Sequence, residues 1–343
     1  MRIGLLTGGG DCPGLNAVIR AVVRRGAREH TIFGFRNGWA GVLDDDASEL
    51  TIESTAGILA RGGTILGTSR TNPFADDVED GAERIDATMR SRTLDALLPV
   101  GGEDTLGVAL RLHREGIPVV GVPKTIDNDL DGTDVTVGFH TAVQIVTDAI
   151  DRLHTTAESH NRVMVVEVMG RHAGWIATYA GIGGGGDAIL IPERPFDIDE
   201  VCAHIRSRHA RGRSFSIVVV AEGAAPREGT IEINPESAVD AFGHVRLGGI
   251  GVTLEREIES RTGFETRVTI LGHVQRGGSP TAFDRVLASR FGVAALDALS
   301  AGRAGIMVGI RGTDMVEVAL EDALRAPKLV DSALYETASV FFG

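Results

Sequence analysis

The sequence predicts an α/β chain of two three-layer domains with mainly parallel sheets and a ligand cleft between them. Three observations lead there. Short, continuous apolar runs such as residues 94–100 and 117–122 read as strands buried on both faces. Amphipathic helical patterns alternate with them. Many of the 45 glycines fall directly after the apolar runs, where backbone must turn sharply or approach a ligand. A length of 343 residues suits about two domains. In open α/β sheets ligands bind beyond the C-terminal strand ends, so the loops at those ends are the places to look for function.

Residues 3–6 read as the first strand, Gly8-Gly9-Gly10-Asp11-Cys12-Pro13-Gly14 as a glycine-rich turn, and residues 15–27 as a helix with Val18, Ile19, Val22 and Val23 on its apolar face. A strand, turn and helix in this order can cradle an anion, and the same glycines equally suit a plain tight turn. The turn lacks the Gly-Lys-Ser/Thr of a Walker A loop and does not fit the dinucleotide fingerprint. A mixed region runs to residue 54. A second glycine-rich loop, residues 61–73, then ends in Arg70 and Pro73, with Arg70 facing either an anion or solvent.

Residues 94–100, a helix over 106–114 and residues 117–122 form a compact βαβ unit. Its right-handed crossover sets the two strand ends side by side, so that Glu103 and Asp104 face Lys124, Asp127 and Asp129. Acids in that position also favour a helix N-terminus. The run Pro123-Lys124-Thr125-Ile126-Asp127-Asn128-Asp129 crowds charge at the end of a buried strand, an unfavourable place for it. On extended backbone Asp127 and Asp129 would share a face, one taking a proton and the other holding a divalent cation. The competing reading is an Asx-rich turn.

A helix from residue 141 is marked by Val143, Val146, Ile150 and Leu153. Residues 162–171 form an apolar strand bracketed by arginines, followed by a helix from His172-Ala173-Gly174-Trp175 that Gly183 to Gly186 break. Residues 189–191 and 215–221 are further strands, the latter ending in Glu222-Gly223. Arg206, Arg208, Arg211 and Arg213 read as a solvated helix and loop. Around the apolar strand near residue 270, Arg267, His273 and Arg276 have no obvious packing role. Residues 306–310 read as the final strand. No repeat or flexible linker is evident.

A net charge of −13 and a pI near 5.2 argue against nucleic acid as a partner, so an anionic substrate needs a local basic pocket. No apolar run approaches the roughly 20 residues of a membrane span. The amino terminus enters a strand without a signal-peptide pattern, and a cytoplasmic protein is expected. Two cysteines, Cys12 and Cys202, exclude a disulfide framework and a multi-thiolate metal site. Carboxylates from one half and cations from the other suit phosphoryl transfer, which asks mainly for positioning and charge neutralisation.

Six motifs, taken in order, resemble the 6-phosphofructokinase family: the run from Gly8 to Asn16, Gly67-Thr68-Ser69-Arg70, Gly101-Gly102-Glu103-Asp104-Thr105, the run from Pro123 to Asp129, Met169-Gly170-Arg171, and the run from Gly272 to Gly278. The resemblance covers almost the whole chain and is strongest to the pyrophosphate-dependent members. It implies two Rossmann-like domains: residues 1–140 plus about 275–325 for the phosphoryl donor, and about 141–274 plus 326–343 for fructose 6-phosphate. By the same resemblance Asp127 is the general base toward the C1 hydroxyl, Asp129 and Glu103 help hold Mg²⁺, and Gly10 brings its N–H to the donor phosphate. Arg70, Thr125 and Arg171 neutralise the moving phosphoryl. Met169, Gly170 and Glu222 meet the sugar, and Arg276 with His273 meets its 6-phosphate. Arg162 and Arg267 match positions that reach a neighbouring subunit's site, which implies a homo-oligomer, dimer or tetramer, with shared sites. Glu103 stands where many relatives have Asp, so the metal would sit one methylene further back or be bridged by water. Arg20, Arg24, Arg25 and Arg152 could belong to an effector site, but helix arginines are usually solvated, and weak or absent allostery is expected.

Asp104 and Lys124 bear on the donor, since ATP users typically carry glycine at both places. A carboxylate at 104 would meet the α-phosphate of a nucleotide. Like charges 4 Å apart repel by about 1 kcal/mol in water and about 4 kcal/mol at an effective dielectric of 20, roughly tenfold discrimination or more. The Lys124 ammonium would complement diphosphate. The expectation is therefore pyrophosphate as donor, with ATP as the alternative. Asp104 and Lys124 could also simply pair with each other.

Overall fold

Two sheets organise the chain. The computed structural model describes residues 1–231 and 249–342. The first sheet contains β1 (Arg2–Thr7), β2 (Thr31–Phe35), β3 (Ala47–Leu50), β4 (Ala96–Gly101) and β5 (Val120–Pro123). The second contains β6 (Val163–Val168), β7 (Ala188–Leu190), β8 (Ser216–Ala221) and β9 (Thr266–Ile270). The chain then returns to the first sheet with β10 (Ile306–Arg311) and β11 (Asp314–Ala319). The orders are β11-β10-β5-β4-β1-β2-β3 and β7-β8-β6-β9. Every pairing is parallel except at the two edges of the first sheet, where β3 and β11 run antiparallel to their neighbours.

The central strands β4, β5, β6 and β8 are buried along their whole length, as their unbroken apolar runs require. The edges are different. Contrary to the expectation from the sequence, the final strand is β11, not residues 306–310; its Asp314 and Glu317 leave it half exposed and only weakly apolar. β3 likewise lies in the region that carried no clear pattern. The helix after β4 spans Glu103–Arg114 and so starts three residues earlier than expected, with Glu103 and Asp104 in its first turn, where the helix dipole favours acids.

The registers Val100↔Val122 and Gly101↔Pro123, with Lys124 N–H donating to Gly101 O at 3.0 Å and Gly8 N–H to Val100 O at 3.0 Å, gather the loops after β1, β4 and β5 at one edge. In the second sheet Val168↔Ala221 and Glu167↔Ile270 do the same for the loops after β6, β8 and β9.

One apolar cluster spans both halves, and a pair of helices of the first half contributes to it. The helices Leu15–Gly26 and Ala282–Ser300 pack together, and one apolar cluster runs from Leu5 and Val18 through Phe139 and Val146 to Val166 and Phe291. At its edge the fully buried Asp284 accepts hydrogen bonds from Gly138 N at 2.9 Å, Thr141 N at 2.7 Å and Thr141 Oγ1 at 2.5 Å. It thereby satisfies amide donors at the start of the helix Phe139–His160, which has no capping side chain of its own. Arg208, expected in solvent, instead pairs with Asp187 at 2.9 Å with both side chains largely buried, while Arg206, Arg211 and Arg213 are exposed.

Candidate active site

The strand ends of the two sheets face each other across a cleft of about 580 Å³. One wall comes from the first sheet: Gly9, Gly10 and Asp11 after β1, Gly102 to Thr105 after β4, and Lys124 to Asp127 with Asp129 after β5. Arg70 joins this wall. Its loop is stitched to the glycine turn by Gly9 N–H donating to Ser69 O at 3.0 Å and Thr68 Oγ1 donating to Gly9 O at 2.6 Å. The other wall carries Met169, Arg171 and His172 after β6, Glu222 after β8, and His273 and Arg276 from the 3₁₀ turn Gly272–Arg276 after β9.

At Gly10 the absent side chain leaves room for Arg276. A Cβ there would lie 1.7 Å from Arg276 Nη1, so the bare backbone lets the guanidinium from the opposite wall come down on the turn in its present position. Beneath it the buried Lys124 donates from Nζ to Gly10 O at 2.6 Å, and burial lowers its pKa. The glycine turn is thus bracketed by two cationic side chains, the composition of an anion cradle.

The acidic loop folds as the Asx-rich turn that competed with the extended reading. Asn128 adopts φ +54°, accepts from Thr136 N at 3.0 Å and donates to Asp134 O at 3.3 Å, which makes an Asx-stabilised turn. That turn, not the extended backbone expected, brings Asp127 and Asp129 to the same cleft. Among the described residues Asp127 Oδ1 is shielded from water and accepts no hydrogen bond. Burial pushes the Asp127 pKa upward, opposed by Arg276, Arg171, Lys124 and His172. Burial, then the Asp127 charge and, more weakly, Glu103, push Asp129 up to about 7. Glu222 is raised by burial and by Asp127. Such a group of carboxylates is under-compensated and suits a cation. Among the described residues no three His, Cys, Asp or Glu side chains form a ready ligand cage. That arrangement fits Mg²⁺, which commonly takes one or two carboxylates and completes its shell with phosphate oxygens and water.

Of the residues singled out in the sequence, Gly10, Arg70, Glu103, Asp104, Lys124, Thr125, Asp127, Asp129, Met169, Arg171, Glu222, His273 and Arg276 line the cleft. Gly170 does not. It shapes the turn behind, at φ +143°, where a Cβ would meet Ala173 O at 2.8 Å, and its carbonyl accepts from Gly223 N at 3.1 Å, tying the β6 loop to the β8 loop. Arg162 and Arg267 flank the starts of β6 and β9, away from the cleft, and share Glu265 at 2.8 Å and 2.6 Å. His172, Asp11 and Thr105 line the cleft without having been singled out; their signal was adjacency to Arg171, to the glycine turn and to Asp104. Cys12 sits in the glycine turn only 1% exposed, donating from Sγ to Val137 O at 3.5 Å, and burial pushes its thiol up to about 12.

The sequence model of the family described as phosphofructokinase matches residues 2–299. The chain belongs to the phosphofructokinase family. Over 346 residues and the full length of both chains it is 58% identical to a pyrophosphate–fructose 6-phosphate 1-phosphotransferase of Streptomyces coelicolor. It is also 54% identical to ATP-dependent 6-phosphofructokinase 3 of the same organism, over 98% of this chain and 99% of that one. Among solved structures, the phosphofructokinase of Saccharomyces cerevisiae superposes with a TM-score of 0.81 at 30% identity over 99% of this chain, which spans about half (46%) of the yeast chain. A pyrophosphate-dependent phosphofructokinase from Nitrosospira multiformis shares the fold, with a TM-score of 0.84 at 21% identity, over 96% of this chain and 86% of its own.

Proposed function

We propose that the protein is a pyrophosphate-dependent 6-phosphofructokinase. It moves a phosphoryl group from diphosphate to the C1 hydroxyl of fructose 6-phosphate, giving fructose 1,6-bisphosphate and phosphate, in a reversible reaction. The observation that carries this reading is that Asp104 and Lys124 both line the donor wall, with Asp104 carrying the weight and the buried Lys124 ammonium held 2.6 Å from Gly10 O. A full-length relative of 58% identity is named for the same activity. ATP as donor is the second reading, favoured by the relative at 54% identity.

In this reading Asp127 takes the C1 hydroxyl proton as that oxygen attacks the terminal phosphorus, and the bond to the leaving phosphate breaks. Burial raises its pKa, which favours taking up the proton, and in the reverse direction the protonated carboxyl returns it. Arg70, Thr125 and Arg171 neutralise the transferring phosphoryl, and Gly10 and Lys124 hold the donor. Met169 and Glu222 meet the sugar, backed by Gly170, while His273 and Arg276 take its 6-phosphate. Asp129 and Glu103 would hold Mg²⁺, which when bound offsets the negative charge of diphosphate.

The proposal includes a donor domain of residues 1–140 with about 275–325 and a sugar domain of about 141–274 with 326–343, following the two sheets. It also includes a cytoplasmic homo-oligomer in which Arg162 and Arg267 complete a neighbour's site. Among the described residues no helix is long and apolar enough to cross a membrane.

The test is the initial rate with fructose 6-phosphate and Mg²⁺, comparing pyrophosphate with ATP on one purified sample. A strong preference for pyrophosphate supports the proposal. A preference for ATP overturns the donor assignment and leaves the family in place.

A further inference from the structure

The loop bearing Asp127 and Asp129 follows a strand of the first sheet, and the loop bearing Arg171 and His172 follows a strand of the second; among the described residues no ladder joins the two sheets. One short irregular piece of chain, residues 328–330, bonds to both. Toward the first loop, Lys328 donates its main-chain N–H to Asp129 O at 2.8 Å and its Nζ to Thr133 O at 2.8 Å and Asp134 O at 2.9 Å. Toward the second, Lys328 O accepts from Trp175 Nε1 at 2.8 Å, and the Lys328 ammonium lies 5.2 Å from the Trp175 ring centroid. Val330 N–H donates to Glu193 Oε1 at 3.0 Å. The same carboxylate accepts Gly174 N–H at 3.0 Å and 3.1 Å, at the end of the loop that begins with Arg171.

A segment that merely crossed from one half to the other would need no such bonding. Here a lysine that would ordinarily be solvated spends its donors on main-chain carbonyls, and one of its bonds falls on the backbone of Asp129 itself. We propose that residues 328–330, with Trp175 and Glu193, form a clasp that fixes the spacing between the Asp127–Asp129 loop and the Arg171 loop, which makes Lys328 and Glu193 positioning residues. The kinetic consequence rests on the phosphoryl-transfer reading above; the structural one does not. Phosphoryl transfer is sensitive to this spacing because its base and its neutralising arginine lie on opposite walls, and a misplacement of about 1 Å costs on the order of 100-fold in rate.

Two variants attack opposite ends of the clasp. Lys328→Met keeps the apolar stem and removes the Nζ bonds; Trp175→Phe keeps a ring and removes the Nε1 donor. For each, kcat, the KM of each substrate and amide hydrogen exchange over residues 125–136 and 171–176 are measured. The expected result is a fall in kcat of about 10-fold or more with each KM within about 3-fold. Exchange should quicken in both loops, including the loop that lost no contact. Unchanged kcat in a folded variant, or faster exchange confined to the loop that lost its bond, overturns the clasp. Should one variant fail to fold, the other decides. If the unaltered protein turns over fructose 6-phosphate with neither donor, the functional reading falls, and the exchange data alone then judge the clasp by the same criterion.

Discussion

Asp104 and Asp127 line one cleft and are expected to fail differently when altered. Asp104→Gly removes bulk and charge from the first turn of the helix Glu103–Arg114 and should shift the ratio of kcat/KM for ATP over pyrophosphate upward by roughly tenfold. An unchanged ratio would place donor choice elsewhere. Asp127→Ala should lower kcat by several orders of magnitude while fructose 6-phosphate still binds, measured by turnover and by calorimetry; near-normal turnover would remove it from the base role. Asp129 adds a pH effect. Its native pKa of about 7 lies above the ordinary 3.8, so between those values the folded protein holds a proton that the unfolded chain has released. Stability therefore falls as pH rises from about 4 to about 7. Urea midpoints across that range in a chelating buffer should decline, and Mg²⁺ should make the decline shallower; a flat series in both would contradict the buried carboxylates' role.

Among the elements, those buried on both faces were legible in the sequence. β4, β5, β6 and β8 carry unbroken apolar runs, and the glycines after β1 and β4 mark where the chain turns at the cleft. What stayed hidden has physical causes. β3 and β11 are half-exposed edges with weak patterns. The Asp127–Asp129 turn depends on Asn128 reaching Thr136 and Asp134, and Arg208 finds Asp187 only in the folded chain. The bonds of Lys328 to Thr133 and Asp134 span 195 and 194 residues and end on carbonyl oxygens, which every residue possesses. Most of the candidate site could be named because its residues cluster at strand ends, whereas His172 carried no pattern of its own. Asp284 is the element-scale test. Asp284→Ala leaves two buried amides at the start of Phe139–His160 without an acceptor and should cost about 3 kcal/mol or more of stability by chemical denaturation. A loss below about 1 kcal/mol would mean that the helix start is held by packing alone.

On the scale of the whole molecule, Arg162 and Arg267 stand at the strand starts, across the second sheet from the cleft of their own chain. If they serve a neighbour's site, Asp127→Ala and Arg162→Ala subunits, each inactive alone, should regain measurable activity when mixed and reassembled, because some mixed sites contain both native residues. Absence of any regain would indicate sites complete within one chain. Cys12 has a further consequence. It occupies the turn proposed to hold phosphate, yet burial pushes its thiol up to about 12, and the other cysteine, Cys202, is fully buried. Oxidants act on exposed thiolates, and this fold presents none. A cysteine thus sits inside the glycine turn without offering an oxidant a thiolate to attack.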